Sequence, residues 1–193
     1  MKVTTIAVDI DGTITASPLH WGGMGTIGRG VWGFLRETRL AERIMRGAKP
    51  HPEAVEFLWW ADAQGIAINY VTAREERYRE LTLDCFREWG VPRPPFDRAA
   101  VELRPPGTSV VTHKAACVLG SQLYLEDQLE IAEAVDRRLA AQSDLPAWLD
   151  LPACVKPLII HLTSWQLQGP LLRRLILARP RQGAPEADEI PLE

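Results

Sequence analysis

At 193 residues the chain fits one domain with room for a small insertion, and its 46% hydrophobic content is enough for a sizeable core. A formal net charge of −3 argues against a general nucleic-acid or anionic-membrane binder, and no run of 18 apolar residues exists to span a membrane. Cys85, Cys117 and Cys154 lie far apart with no CxxC pair, which argues against a disulfide framework or zinc site. The cysteine pattern fits a reducing cytoplasm, and the N-terminus reaches Asp9 before any long apolar run, so no signal peptide is expected.

In chain order, short apolar runs alternate with helix-like segments, the pattern of a parallel α/β sheet. The first strand covers about Thr4–Val8. Residues 15–30 are Gly-rich and read as a loop, and 31–46 carry Val31, Leu35, Leu40 and Ile44 at amphipathic-helix spacing. Pro52 opens a second helix over 52–64, ended by Gly65. Ile66–Val71 is a buried strand that runs into Thr72-Ala73-Arg74, and a helix follows over Glu75–Trp89. A short strand is expected near Ala100–Leu103, then a helix from Thr112 to about Leu119, with Thr112 as its cap. Gln122–Leu125 is a strand, Leu129–Ala141 a helix, Leu158–Leu162 a last strand and Leu171–Leu177 a short helix. The composition of 179–193 is that of a disordered tail.

Three polar groups directly follow apolar strands: Asp9 and Asp11, Thr72 and Arg74, and Glu126 with Asp127. Lys114 opens a helix between the last two groups. In open α/β sheets ligands bind where strands end, so these distant residues can converge on one crevice. The set suits phosphoryl transfer. An Asp can attack phosphorus, and a second carboxyl can give a proton to the leaving oxygen and take one from water. A hard cation such as Mg²⁺ takes carboxylate oxygens, and a Lys and a hydroxyl can bind phosphate oxygens.

Four of these segments resemble the motifs of the haloacid dehalogenase superfamily. Asp9-Ile10-Asp11-Gly12-Thr13 matches its Asp-x-Asp-Gly-Thr motif, and Ile68-Asn69-Tyr70-Val71-Thr72 its apolar strand ending in Thr. Lys114 stands for its lysine, and Leu123-Tyr124-Leu125-Glu126-Asp127 for its acidic fourth motif. The resemblance implies a Rossmann-like α/β sheet sandwiched by helices: a core of residues 1–14 and 50–178, and a small cap insertion over 15–49 after the first strand. It implies Asp9 as nucleophile and Mg²⁺ ligand, and Asp11 as general acid/base with its backbone carbonyl on the metal. Thr72 and Lys114 would bind the phosphoryl group, with Thr13 and Arg74 near the substrate. Asp127 would be the third metal ligand, and Glu126 would sit on the metal, on its water or on Lys114. Thr72-Ala73-Arg74 further resembles the Thr-x-Arg element of the 5′(3′)-deoxyribonucleotidase-like branch, whose substrates are nucleoside monophosphates. An aromatic of the insertion (Trp21, Trp32 or Phe34) would then stack on a nucleobase.

Two other readings stand beside this one. A polynucleotide 3′-phosphatase has a similar Thr/Ser-Gly-Arg element, but the basic residues of the insertion (Arg29, Arg36, Arg39, Arg43) are interleaved with acids. A non-catalytic module of the same fold would carry damage at Asp9, Asp11, Lys114 or Asp127, and all four are intact. Each residue also has a plainer reading. Asp11-Gly12 is turn chemistry, Thr72 a helix cap, Arg74 and Lys114 solvated side chains, and Glu126-Asp127 acids at a helix start.

Overall fold

Ile6, Ala7 and Val8 are fully buried. A strand covered on both faces needs partners on both edges and helices on both sides of its sheet, and small or β-branched residues suit it. The computed structural model supplies both, and it describes residues 3–16, 39–94, 97–142 and 156–178. Its elements are β1 (Thr5–Val8), β2 (Thr15–Ala16), α1 (Arg39–Gly47), β3 (Lys49–Pro50), α2 (Pro52–Ala63), β4 (Ala67–Glu75), α3 (Arg79–Trp89), β5 (Ala99–Arg104), α4 (Val110–Cys117), β6 (Leu123–Glu126), α5 (Leu129–Gln142), β7 (Leu158–His161) and α6 (Trp165–Ala178).

Five strands form one sheet in the order β5-β4-β1-β6-β7, all parallel. The expected α/β architecture is therefore the observed one. Val8 lies opposite Tyr70 of β4 and Leu125 of β6. This register sets the end of β1 beside the end of β6 and beside Tyr70, where β4 approaches its irregular stretch, so the polar residues that follow share one edge. The chain moves outward from β1 to β4 and β5, then crosses back through α4 to β6 on the other side of β1. α4 thereby lies over the place where the strand order reverses, the usual ligand position in such sheets.

One face of the sheet is covered by Ala54, Phe57 and Leu58 of α2, Leu81, Cys85 and Phe86 of α3, and Trp165, Leu172 and Ile176 of α6. The other is covered by Ala115 of α4 with Val135 and Leu139 of α5, against Ala7, Val71 and Tyr124. Burying a large apolar side chain is worth about 1.5–3 kcal/mol, so the two layers fix the sheet that carries the polar edge. β2 and β3 pair antiparallel, Thr15 opposite Pro50. The two ends of the segment that joins them therefore lie side by side. Among the described residues no helix is long and apolar enough to cross a membrane.

Three local expectations change. β4 continues through Thr72 to Glu75, with a register shift after Val71. Buried Arg104 holds this irregular stretch, donating to Ala73 O at 3.1 Å, Glu75 Oε1 at 2.9 Å and Thr108 O at 2.7 Å. α4 is capped by Ser109, whose hydroxyl accepts from the Thr112 amide at 3.1 Å, rather than by Thr112. α6 begins at Trp165, six residues before the expected Leu171, and contains Pro170. Gln168 Oε1 accepts from the Thr163 and Ser164 amides at 2.7 and 2.9 Å, which anchors the earlier start. Residues 17–38, with Trp21, Trp32 and Phe34, lie outside the described residues, as do 143–155 and the tail.

Candidate active site

Asp9 directly follows β1, and its amide still bonds into the sheet through Leu125 O at 3.0 Å. Glu126 ends β6 and Asp127 follows it; all three acids are buried. One carboxylate oxygen from each of Asp9, Glu126 and Asp127 lies within 4.8 Å of the other two. Lys114 reaches the cluster from α4, its Nζ 2.7 Å from Asp9 Oδ1 and 2.6 Å from Glu126 Oε2. The return crossover of the chain is what brings this ammonium to the end of β1.

Three carboxylates and one ammonium carry unbalanced negative charge in a buried place. Burial pushes the Asp9 carboxyl well above the usual carboxylate range; Lys114 pulls it back in part, while Glu126 and Asp127 push it further up. Burial alone would lower the Lys114 ammonium, but Asp9 and Glu126 hold it well above the usual lysine range. A divalent cation would remove the imbalance. An all-oxygen carboxylate donor set is the kind that hard cations such as Mg²⁺ select, so the residues present fit the implied metal.

The two acids of the β6 end have different surroundings. Glu126 Oε2 accepts from Lys114 and from the Tyr124 hydroxyl, and Oε1 accepts from the Gln128 amide at 3.2 Å. Asp127 Oδ1 accepts from the Thr13 hydroxyl at 2.9 Å, and the Asp127 amide donates back to Thr13 Oγ1 at 3.1 Å. Thr13 is expected beside the substrate; the structure buries it fully, with its hydroxyl on Asp127. The Thr13 carbonyl in turn accepts from the Trp165 indole of α6. His161 places a ring nitrogen 2.8 Å from the Asp127 carbonyl.

Asp11 and Arg74 form a second pair. Arg74 Nε and Nη2 donate to the two Asp11 carboxylate oxygens at 2.8 and 2.6 Å. The Arg74 side chain is only 2% exposed, while that of Asp11 is 40% exposed. Burial alone would depress the guanidinium, but Asp11 more than offsets that and raises it. Thr72 is fully buried at the start of the irregular part of β4, and its hydroxyl accepts from the Arg74 amide at 3.1 Å.

Asp9, Lys114, Glu126 and Asp127 are thus brought into one cluster, with Thr13 behind it, while Asp11 pairs with Arg74. Three contributors escaped sequence reasoning. Tyr124 carried a usable signal: it sits two residues before Glu126 on a strand, where i and i+2 share a face. Thr82, 3.3 Å from Arg74 Nη1, and Trp165, 152 residues from Thr13, carried none. A cavity of about 250 Å³ lined by His51, Glu53, Leu162, Thr163, Ser164 and Gln166 meets this region at Gly12 and Trp165. The carboxylates of the cluster do not line it.

No known family profile matches the chain, and no curated protein matches it in sequence. Solved structures do. The chain resembles the phosphate complex of CbbY from Rhodobacter sphaeroides at a TM-score of 0.51 and 13% identity, covering 87% of this chain and 97% of that one. It also resembles a chain of the Pnkp1/Rnl/Hen1 RNA repair complex at a TM-score of 0.51 and 16% identity, over 72% of its own length. It spans only 40% of that chain. The HAD domain of the effector Lem4 from Legionella pneumophila aligns over 91% of this chain at 15% identity and a TM-score of 0.47. The fold is Rossmann-type and haloacid-dehalogenase-like. At these identities the likeness is one of fold.

Proposed function

We propose that this chain is a Mg²⁺-dependent phosphomonoester hydrolase working through an aspartyl-phosphate at Asp9. The observation that carries the reading is the buried cluster of Asp9, Glu126 and Asp127, bridged by Lys114, at the end of the central strand. A carboxylate oxygen of Asp9 attacks phosphorus while the bond to the leaving oxygen breaks. That oxygen takes its proton from the carboxylic acid of Asp11. The Asp11 carboxylate then takes a proton from water, the water oxygen attacks phosphorus, and the bond to Asp9 breaks. Phosphate is released and both acids return to their starting states.

Each remaining residue has a role in this scheme. Asp9, Asp127 and the Asp11 backbone carbonyl would hold the metal, which supplies charge neutralisation and orientation of the substrate phosphate. Glu126, whose oxygens are taken by Lys114, Tyr124 and Gln128, holds the lysine rather than the ion. Lys114 and the Thr72 hydroxyl bind the phosphoryl oxygens, the first as a charge and the second as a hydrogen-bond donor. The motif likeness supports a nucleoside monophosphate as substrate. Phosphate release from a panel of ribo- and deoxymononucleotides and sugar phosphates, with Mg²⁺ and with EDTA, tests the reading. Turnover unaffected by EDTA, or no turnover of any member, would reject it.

A 3′-phosphatase acting on nucleic-acid ends is the second reading, favoured by the fold shared with a chain of the RNA repair complex. A 3′-phosphorylated oligonucleotide tested beside the mononucleotides separates the two.

A further inference from the structure

Arg74 lies deeper in the protein than its partner Asp11. With 2% of its side chain exposed against 40% for Asp11, the guanidinium lies behind the carboxylate as seen from solvent. Each of its three nitrogens donates within the protein: Nε and Nη2 to the two Asp11 oxygens and Nη1 to Thr82 Oγ1 at 3.3 Å. Its plane faces Trp89, with Cζ 5.6 Å from the ring centroid, a cation–π distance. Cys85 lies against it as well. Thr82, Cys85 and Trp89 recur along α3 at helical spacing and so present one face, a sleeve around the guanidinium.

The sleeve is itself pinned on its far side. Trp89 Nε1 donates to Ala48 O at 2.9 Å and Cys85 Sγ to Met45 O at 3.6 Å. Both acceptors belong to the stretch that returns the chain from the insertion to the core. A fork of two parallel hydrogen bonds from a held guanidinium fixes both the position and the plane of a carboxylate. Asp11 would otherwise be a half-exposed side chain at a turn, free to sample several rotamers.

We propose that Arg74 is the positioning residue for Asp11, set by the α3 sleeve, and does not contact the substrate. The idea rests on the reading of Asp11 as the general acid/base. When Asp11 carries the proton, the protonated oxygen gives up its acceptor role toward Arg74 and is turned to the leaving oxygen, while its other oxygen keeps its bond. Arg74 thus holds the acid in register in both protonation states without exchanging a proton itself.

Rapid-quench mass spectrometry of the full chain with Mg²⁺ and p-nitrophenyl phosphate tests this, alongside inhibition by inorganic phosphate. The wild type must first release phosphate from p-nitrophenyl phosphate; no release overturns the hydrolase reading, not the role of Arg74 within it. Given that turnover, Arg74→Met should lower kcat roughly 10²- to 10⁴-fold, the range general acid–base catalysis is worth. It should also accumulate phosphorylated Asp9, because p-nitrophenolate leaves without an acid but hydrolysis still needs the base. Inhibition by phosphate should change by less than about threefold. The double variant with Asp11→Asn should be no slower than Asp11→Asn alone, since a residue acting only through another adds nothing once that one is gone.

Thr82→Val, which keeps shape, removes only the hydroxyl behind Nη1 and serves should Arg74→Met fold poorly; it should show the same pattern in weaker form. Weakened phosphate inhibition with no accumulated intermediate, or additive losses in the double variant, would make Arg74 a substrate ligand and overturn the proposal.

Discussion

Gly12 and Asp127, 115 positions apart in the chain, are packed so closely that a Cβ on Gly12 would stand 2.2 Å from Asp127 Oδ2. Gly12 also has φ +97°, which L side chains rarely adopt. The first and fourth motifs are therefore held together by a missing side chain as well as by the Thr13–Asp127 hydrogen bonds. Gly12→Ala should lose stability on the order of 1–3 kcal/mol from backbone strain alone, with the collision added. Gly90 is the control, with φ +65° and nothing within 4 Å of a built Cβ. Denaturant unfolding should rank Gly12→Ala well below Gly90→Ala. Only the first should lose Mg²⁺-dependent turnover. Equal losses would mean that the contact with Asp127 contributes nothing.

Asp9→Asn should abolish turnover and phosphoenzyme, and without metal its melting temperature should equal or exceed that of the wild type. The reason is the sign of the Asp9 perturbation. Its carboxyl is pushed up by burial and by Glu126 and Asp127 more than Lys114 pulls it down. The native state therefore binds a proton more readily than the unfolded chain. Above the native value the charged side chain costs stability, and that cost shrinks as pH falls from the native value and is gone only below the unfolded one. Lys114 keeps Glu126 as partner in the variant. Mg²⁺ should stabilise the wild type by about 2.7 kcal/mol at 100 times its Kd, and Asp9→Asn far less. Calorimetry with EDTA and with Mg²⁺ reads both, and a large loss of stability without metal would reverse the assignment.

Glu126 and Asp127 are adjacent acids with different partners, and their variants should separate. Asp127→Asn should remove most of the Mg²⁺-dependent rise in melting temperature. Glu126→Gln should keep that rise yet lower kcat roughly 10- to 100-fold, as losing a supporting partner commonly does. Its cost falls on Lys114, which is left with Asp9 alone. Loss of the metal response in Glu126→Gln but not in Asp127→Asn would exchange the two roles.

Strands β1, β4 and β6 were readable because each is a short apolar run that ends in a chemically distinctive residue. Paired in parallel, they set Val8, Tyr70 and Leu125 side by side, with the polar residues just beyond. Asp9, Lys114, Glu126 and Asp127 meet for that reason. The partners of Asp11 and Thr13 were not readable in the same way. The place of Arg74 after Thr72 says nothing about which way a guanidinium turns; in the structure it pairs with Asp11, beside Thr82, Cys85 and Trp89. The helix expected over Leu171–Leu177 is longer in the structure, where α6 runs through Pro170. A proline removes one hydrogen bond and crowds the previous turn. Anchoring by Gln168 and burial of Trp165 outweigh that, and neither has a local signature.

His113 precedes Lys114 on α4 and gives the fold a dependence on pH. Burial lowers its pKa from the ordinary 6.5; the Glu102 carbonyl and charge raise it in part, and Arg104 and Lys114 lower it further. One ring nitrogen lies 3.1 Å from Glu102 O, so in the neutral ring Nε2 carries the proton and Nδ1 faces the Cys117 thiol at 3.6 Å. Burial pushes that thiol up to about 11, which keeps it protonated and able to donate. A depressed histidine contributes stability that is fully present above pH 6.5 and lost as pH falls through its native value. Asp9 responds to acid in the opposite sense, so the measurement belongs in the Asp9→Asn background. There, denaturant unfolding should show stability falling between pH 7.5 and 5. Adding His113→Gln should flatten that limb, and an unchanged slope would move the acid sensitivity to another group.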